Sequence, residues 1–209
     1  MIAARKHEVK SVCMEGESIA RKEKLVQEPI KEILNKKNPI WKPIPDKKFV
    51  SGEFSRRWHI NNYFFPKKNL NAVGIPSYDF LKNLNLKDKE NIFKKYNIHP
   101  DEKVVLVPTF SSPMENDFLE TVIKTLNKIK EKNRIYVIIK QHPEFASENT
   151  KRLFEKEMRK HSIRGRIIHD ENISLLVYAS SLVITFNSTI INECILLNKN
   201  TVLYEPRPD

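Results

Sequence analysis

The chain has 209 residues, 40% hydrophobic and 9% aromatic, which supports a sizeable core and excludes an intrinsically disordered chain. Its formal net charge of +11 invites acidic partners, yet 37 Lys and Arg are interleaved with 26 Asp and Glu, runs such as Lys36-Lys37 and Lys47-Lys48 stay short, and no nucleic-acid motif accompanies them, so no nucleic-acid partner is expected. No apolar run reaches the roughly 18–20 residues of a membrane-spanning helix, the start from Met1 to Glu8 lacks a secretory signal's apolar stretch, and Cys13 and Cys194 form no C-x-x-C pair, so reduced thiols in a cytoplasmic protein are expected.

In chain order, Val9 to Met14 reads as a strand ending at Gly16, and Glu17 to Asn35 as a charged helix. Pro39, Pro43 and Pro45 mark a connector. Phe49-Val50-Ser51-Gly52 reads as a strand end, Arg56 to Phe65 as a short helix and Tyr78 to Leu84 as a further helical stretch. This is too little for a second sheet of five or six strands.

From Lys103 the pattern becomes regular. Lys103-Val104-Val105-Leu106-Val107 reads as a buried strand stopped by Pro108. Ser112 as N-cap, Pro113 at the first helical position and Glu115 closing a capping box start a helix. Phe118, Val122, Leu126 and Ile129 form its apolar stripe, widened by Leu119 and Ile123. A second strand spans Ile135 to Ile139, and an amphipathic helix with Leu153, Phe154 and Met158 spans Glu148 to Lys160. Arg166 to Ile168, Leu182 to Thr185 and Thr201 to Tyr204 read as strands; Ser174 to Ser180 and Thr189 to Leu197 read as helices. The alternation predicts an α/β domain, a Rossmann-like parallel sheet flanked by helices, with ligands outside the carboxyl ends of its strands. The chain reaches Asp209 directly after a strand, where this architecture leads one to expect further helices.

The loops at those ends carry polar side chains. After the second strand, Lys140-Gln141-His142-Pro143-Glu144 sets a histidine just past the sheet and fixes it with proline. His142 can donate a hydrogen bond to a diphosphate and meet the charge of a leaving group; otherwise it is a surface histidine in a turn. After the fourth strand, Asn187 or Ser188 can cap the helix that starts at Thr189, and the free backbone N–H groups of that helix end favour a phosphate. Glu193, one turn into that helix, either accepts ribose hydroxyls or faces solvent. After the first strand, Pro108-Thr109-Phe110-Ser111-Ser112 can meet a phosphate or an acceptor, and the loop Ile168-His169-Asp170-Glu171-Asn172 is placed to read a base edge.

Other chemistries find no support. G-x-x-x-x-G-K-[ST] and G-x-G-x-x-G are absent from a chain with four glycines, and so are H-E-x-x-H, any Cys/His cluster and G-x-S-x-G. No metal site is expected.

In this order, the loops resemble the C-terminal domain of GT-B-fold glycosyltransferases and their relatives: surface-polysaccharide enzymes, CDP-glycerol glycerophosphotransferases and UDP-N-acetylglucosamine 2-epimerases. Gly74-Ile75-Pro76-Ser77-Tyr78-Asp79-Phe80-Leu81 resembles the G-x-P-x-x-D-x-L that links their two domains. Val107-Pro108-Thr109-Phe110 is similar to the P-T-F strand end of glycerophosphotransferases, and His142-Pro143 matches a His-Pro shared by several of these families. Ser188-Thr189 through Glu193-Cys194-Ile195-Leu196 resembles the S-T-x-x-x-E-A-L of capsule-type transferases. Where glycerophosphotransferases have Arg after P-T-F and Asp-Tyr before the paired hydroxyls, Ser111 and Phe186-Asn187 stand here, and the Asp-Ser-Gly-Gly of the epimerases is absent.

The resemblance implies that residues 71–209 are a C-terminal donor-binding domain lacking its last helices, and that 1–70 are a remnant of the acceptor-side domain with a connector. It implies a transferase that moves a sugar or polyol phosphate from a nucleoside-diphosphate donor to a cell-surface polysaccharide or a glycan or lipid-linked precursor. A UDP-N-acetylglucosamine 2-epimerase-like enzyme and a non-catalytic nucleotide-sugar-binding fragment are the alternatives. In that frame Thr109, Ser111, His142, Ser188 and Thr189 hold the diphosphate, with His142 also catalytic. Glu193 holds the ribose, and His169 and Asp170 belong to the base-contact loop. Glu15, in Met14-Glu15-Gly16 where relatives often carry His-Gly, is either a catalytic acceptor-side base or a solvated turn residue. No cofactor is expected beyond the nucleotide-activated substrate. The implied place is the cytoplasm, with possible peripheral contact between basic residues and anionic headgroups at the inner face of the membrane.

Overall fold

The computed structural model describes residues 7–15, 44–63, 65–109, 115–130, 133–143, 146, 148–186 and 188–205. The expected helix from Glu17 to Asn35, the prolines at 39 and 43, the cap at Ser112-Pro113, and Ser111 and Asn187 lie outside these residues. The chain divides into two compact units, Met1–Asp79 and Phe80–Asp209.

The first unit holds a three-stranded parallel sheet in the order β1 (Val12–Met14), β2 (Lys47–Val50), β3 (Leu70–Ala72). Helix α1 (Glu53–Tyr63) makes the β2-to-β3 crossover, and a 3-10 turn at Lys67–Asn69 leads into β3. The strands are short, so side chains hold their ends together. The Asp46 carboxylate accepts the Ser11 N–H at 2.8 Å and the Ser11 hydroxyl at 3.0 Å, and the Asn69 amide donates to the carbonyls of Pro45 and Asp46 at 3.0 Å each. The strand expected from Val9 begins only at Val12, the first residue in register with β2. The stretch around Tyr78 is helical, as a 3-10 helix from Pro76 to Asn83 entered through Gly74 at φ +88.

The second unit holds a five-stranded all-parallel sheet in the order β6 (Gly165–Ile168), β5 (Ile135–Lys140), β4 (Lys103–Pro108), β7 (Leu182–Thr185), β8 (Thr201–Leu203). The helices are α2 (Leu86–Lys95), α3 (Glu115–Ile129), α4 (Glu148–Lys160), α5 (Ile173–Ala179) and α6 (Ile190–Leu196). Alternation along the central strand splits the core in two. Val104 and Leu106 pack with Ile92, Leu176, Val177, Ile190 and Cys194, while Val105 and Val107 pack with Phe118, Leu119, Ile123, Phe154 and Met158. Burial on both faces explains why β4 and β5 read as continuous apolar runs.

Helix α2 was not anticipated. Its signal is nevertheless local, because Asn85 and Asp88 form a complete capping box. Two apolar residues of the expected stripes are solvent-facing: Ile129, on the last turn of α3, is 42% exposed, and Leu153 is 53% exposed beside the buried Phe154. Helices α2, α4 and α6 are followed by left-handed residues, Asn97, Ser162 and Asn198. Gly165 is sterically confined. A Cβ there would lie 2.1 Å from the Val137 carbonyl oxygen and 2.7 Å from the Met158 methyl, so a larger residue would force the β5–β6 pairing or Met158 to shift.

Candidate functional site

The sheet order places the loops after β5, β4 and β7 side by side, because β4 lies between the other two. Thr109 and His142 meet directly. The Thr109 N–H donates to the Lys140 carbonyl at 2.8 Å, and the Thr109 hydroxyl oxygen accepts the His142 N–H at 3.1 Å. Thr109 therefore fixes the backbone that carries the imidazole, a role its place in the loop did not reveal. The Gln141 N–H donates to the Ile168 carbonyl at 2.8 Å, joining this loop to the end of β6.

After β6, the His169 Nδ1 lies 2.6 Å from Asp170 Oδ1 and its Nε2 lies 3.3 Å from the Pro143 carbonyl oxygen, next to His142. His169, Asp170 and Gln141 share a pocket of about 420 Å³ with Ile167, Glu148 and Lys151. The sequence-derived base-contact loop thus borders a cavity. A larger, more apolar groove of about 640 Å³ runs along α2, lined by Leu86, Phe93, Ile98 and Pro100, and no strand end lines it.

After β7, the Ser188 hydroxyl oxygen accepts the Ile190 N–H at 3.4 Å, a weak cap, while Thr189 occupies the N-cap position without a side-chain bond. Glu193 follows on α6, partly buried. Its Oε2 is buried without a hydrogen-bond partner among the described residues, as is Oγ1 of Thr185 at the end of β7. Burial pushes the Glu193 carboxyl above the usual carboxylate range. A buried polar atom without a partner costs about 1–3 kcal/mol, so this segment holds unmet hydrogen-bonding capacity.

Lys140 and Glu171 were not singled out in the sequence, though both stand in the quoted loops. Lys140 is only 6% exposed at the end of β5, and its ammonium donates to the Gln141 carbonyl at 2.9 Å. Burial lowers its pKa, against the pull of Asp170 and Glu171. Glu171 ties the β6–α5 turn to α2 through Lys95 and Tyr96, at 2.6 and 2.8 Å. Tyr96 is 75 residues away and no loop signal marks it.

In the first unit, Glu15 follows β1 at the amino end of α1. Its Oε2 accepts the Ser51 N–H at 2.7 Å, and the Ser55 hydroxyl lies 2.7 and 2.9 Å from its two oxygens. Burial alone would raise its pKa, but these bonds win and hold the carboxyl below the usual range. His59, one turn beyond Ser55 and 4% exposed, lies with Nδ1 3.0 Å from the Ser55 carbonyl oxygen and Nε2 2.6 Å from the Lys48 ammonium. The carbonyl can only accept and the ammonium can only donate, so the ring carries its proton on Nδ1 and is neutral. Burial accordingly pushes its pKa down.

Several solved proteins share this fold. MnaA of S. aureus, solved with UDP, is 17% identical with a TM-score of 0.64 over 98% of this chain and 54% of its own. UDP-N-acetylglucosamine 2-epimerase of Rickettsia bellii is 19% identical with a TM-score of 0.62, over 96% and 51%. The wall teichoic acid polymerase TagF, solved after a soak with CDPG, is 14% identical with a TM-score of 0.54, over 93% and 45%. The chain spans about half the length of these proteins. The α/β architecture of parallel sheets flanked by helices, expected from the GT-B likeness, is the one they share. No curated protein matches the chain. Residues 21–208, nearly the whole sequence, match the family described as CDP-glycerol:poly(glycerophosphate) glycerophosphotransferase, and the chain belongs to that family.

Proposed function

We propose that this chain carries the donor site of a transferase that moves a polyol phosphate or sugar from a nucleoside-diphosphate donor to a cell-surface polysaccharide or glycan precursor. The observation that carries the reading is the buried Glu193 Oε2, without a partner among the described residues and one turn past Ser188 and Thr189 on the segment after β7. A ribose hydroxyl donating to it would relieve the unmet acceptor, and the adjacent hydroxyls suit the diphosphate. Family membership supports transfer, and neighbours solved with UDP and CDPG support a nucleotide in this fold.

In this reading the acceptor hydroxyl attacks the transferred group and loses its proton as the bond to the nucleotide breaks. Negative charge then grows on the leaving nucleotide. His142, steadied by Thr109, meets that charge together with Ser188, Thr189 and Ser111. His169 and Asp170 face the base. Glu15 is the acceptor-side base of the proposal, ionised at neutral pH but weakened by its hydrogen bonds. No cofactor beyond the donor is proposed. The proposed place is the cytoplasmic face of the membrane, where the +11 charge would favour anionic headgroups. No helix among the described residues is long and apolar enough to cross a membrane.

Thermal unfolding of the 209-residue chain with UDP, CDP, GDP and their sugar or glycerol conjugates tests the donor site. One of them should stabilise the fold, by about 2.7 kcal/mol at a hundred times its dissociation constant. The stabilisation should shrink in Glu193→Ala. No shift with any nucleotide would sink the reading. Release of a 2-epimer from UDP-N-acetylglucosamine without an acceptor would replace transfer by epimerisation, the second reading, which the likeness to the Rickettsia bellii 2-epimerase keeps open.

A further inference from the structure

We propose that Glu171, clamped between Lys95 and Tyr96 of the α2 segment, is a positioning residue that sets the β6–α5 turn for base discrimination. The inference rests on the donor-site reading above and names what holds that site's base-contact loop in place.

The turn is short and is tied on every side. The Glu171 N–H donates to the His169 carbonyl at 3.3 Å, and Asn172 caps α5 by accepting from the Ser174 and Leu175 N–H groups at 2.9 and 3.4 Å. These bonds are local and fix the shape of the turn, not its position. Position comes from the Glu171 carboxylate. One oxygen accepts both the Lys95 ammonium and the Tyr96 hydroxyl, and the other lies 3.3 Å from the Asn172 N–H. The Glu171 side chain is only 11% exposed, whereas that of Lys95 is 55% exposed. Both bonds hold the carboxylate, and both, against burial, hold its pKa down; Tyr96 is the buried partner and Lys95 the exposed, salt-screened one.

Tyr96 is itself anchored. It is 8% exposed in the core, and its carbonyl accepts the Tyr136 hydroxyl from β5 at 2.9 Å. A continuous set of contacts thus runs from the sheet interior through Tyr136, Tyr96 and Glu171 to His169 and Asp170, which border the 420 Å³ pocket. A base edge is read by hydrogen bonds that weaken steeply with small displacements, so a turn that reads one must be held by its surroundings. The diphosphate candidates lie on other loops: Ser188 and Thr189 follow β7, and the loops of Thr109 and His142 meet this turn through the Gln141 N–H on the Ile168 carbonyl and His169 Nε2 beside the Pro143 carbonyl.

Tyr96→Phe removes one hydroxyl and keeps the buried ring; Glu171→Ala removes the whole clamp. Binding of CDP, UDP, GDP and inorganic pyrophosphate to each chain is measured by calorimetry, alongside amide hydrogen exchange of residues 168–175. In Tyr96→Phe, affinity for the preferred nucleotide should fall about tenfold. Preference among bases should flatten, pyrophosphate affinity should fall much less than nucleotide affinity, and exchange should quicken in the turn but not in β5. Unchanged nucleotide affinity and base ranking in Tyr96→Phe would overturn the clamp while leaving the donor site standing. Equal losses for nucleotides and pyrophosphate would also overturn it, as general destabilisation. If the wild-type chain binds pyrophosphate but no nucleotide, the donor-site reading itself fails, and base positioning with it.

Discussion

At the carboxyl edge of the three-stranded sheet, Glu15 gives both carboxylate oxygens to protein donors, whereas on the segment after β7 of the five-stranded sheet Glu193 keeps a buried oxygen without a partner among the described residues. The first carboxyl is held below the usual range by its hydrogen bonds and the second is pushed above it by burial. Both are glutamates placed soon after a parallel strand. What differs is whether the fold itself completes their hydrogen bonding. A carboxylate whose hydrogen bonds the protein completes is held in place and ionised; one left with a buried oxygen open keeps acceptor capacity that the fold does not use.

Four experiments test that contrast. The largest effect is expected at the open edge, where His142→Ala should lower turnover by about 10²–10³ with little change in melting temperature, because one charge-stabilising donor is lost. Steady-state kinetics with the nucleotide found by thermal shift check it, and unchanged turnover would remove His142 from the site. Next comes the sheet that carries the edge. Gly165→Ala should cost about 1–3 kcal/mol in denaturant unfolding, since the added methyl meets the Val137 carbonyl.

At the closed edge, Glu15→Gln should cost about 1 kcal/mol, discounted for partial exposure, and reduce turnover by roughly tenfold. A loss of stability without any loss of turnover would make Glu15 purely structural. The smallest effect is expected from Glu193→Gln, which removes a carboxylate that burial disfavours. Its folded pKa is raised, so the stability it contributes is full below the unfolded value, about 4.3, and is lost as pH rises through the folded value. The variant should therefore gain a few tenths of a kcal/mol over the parent at pH 8 and nothing at pH 4. Unfolding curves at both pH values decide it.

Much of the larger unit was legible because its signals are local. The runs of β4 and β5, the stripe from Phe118 to Leu126 and the helix from Glu148 to Lys160 depend on neighbours within a few residues. Ends of elements were less legible. Ile129 and Leu153 fit a helical stripe on paper but face solvent, since periodicity assigns a face without saying how far the core extends along it. The loops at Thr109, His142, His169 and Ser188 could be located because parallel sheets put ligands at strand ends. The bond from the His142 N–H to Thr109, the pairing of Glu15 with Ser51 and Ser55, and the clamp from Tyr96 to Glu171 join residues 33 to 75 positions apart, with no local signature.

That the larger unit is an alternating strand–helix domain, and which of its loops are polar, can be read from residue order alone, because hydrophobic period and turn chemistry are properties of short segments. Which polar groups are satisfied emerges only in the folded chain. The strand order β6-β5-β4-β7-β8 brings the loops into line, and packing leaves Glu193 Oε2 without a partner among the described residues while the hydrogen bonds of Glu15 are completed. Hydrogen-bond satisfaction is a property of the packed surroundings, and those are assembled from residues far apart in the chain.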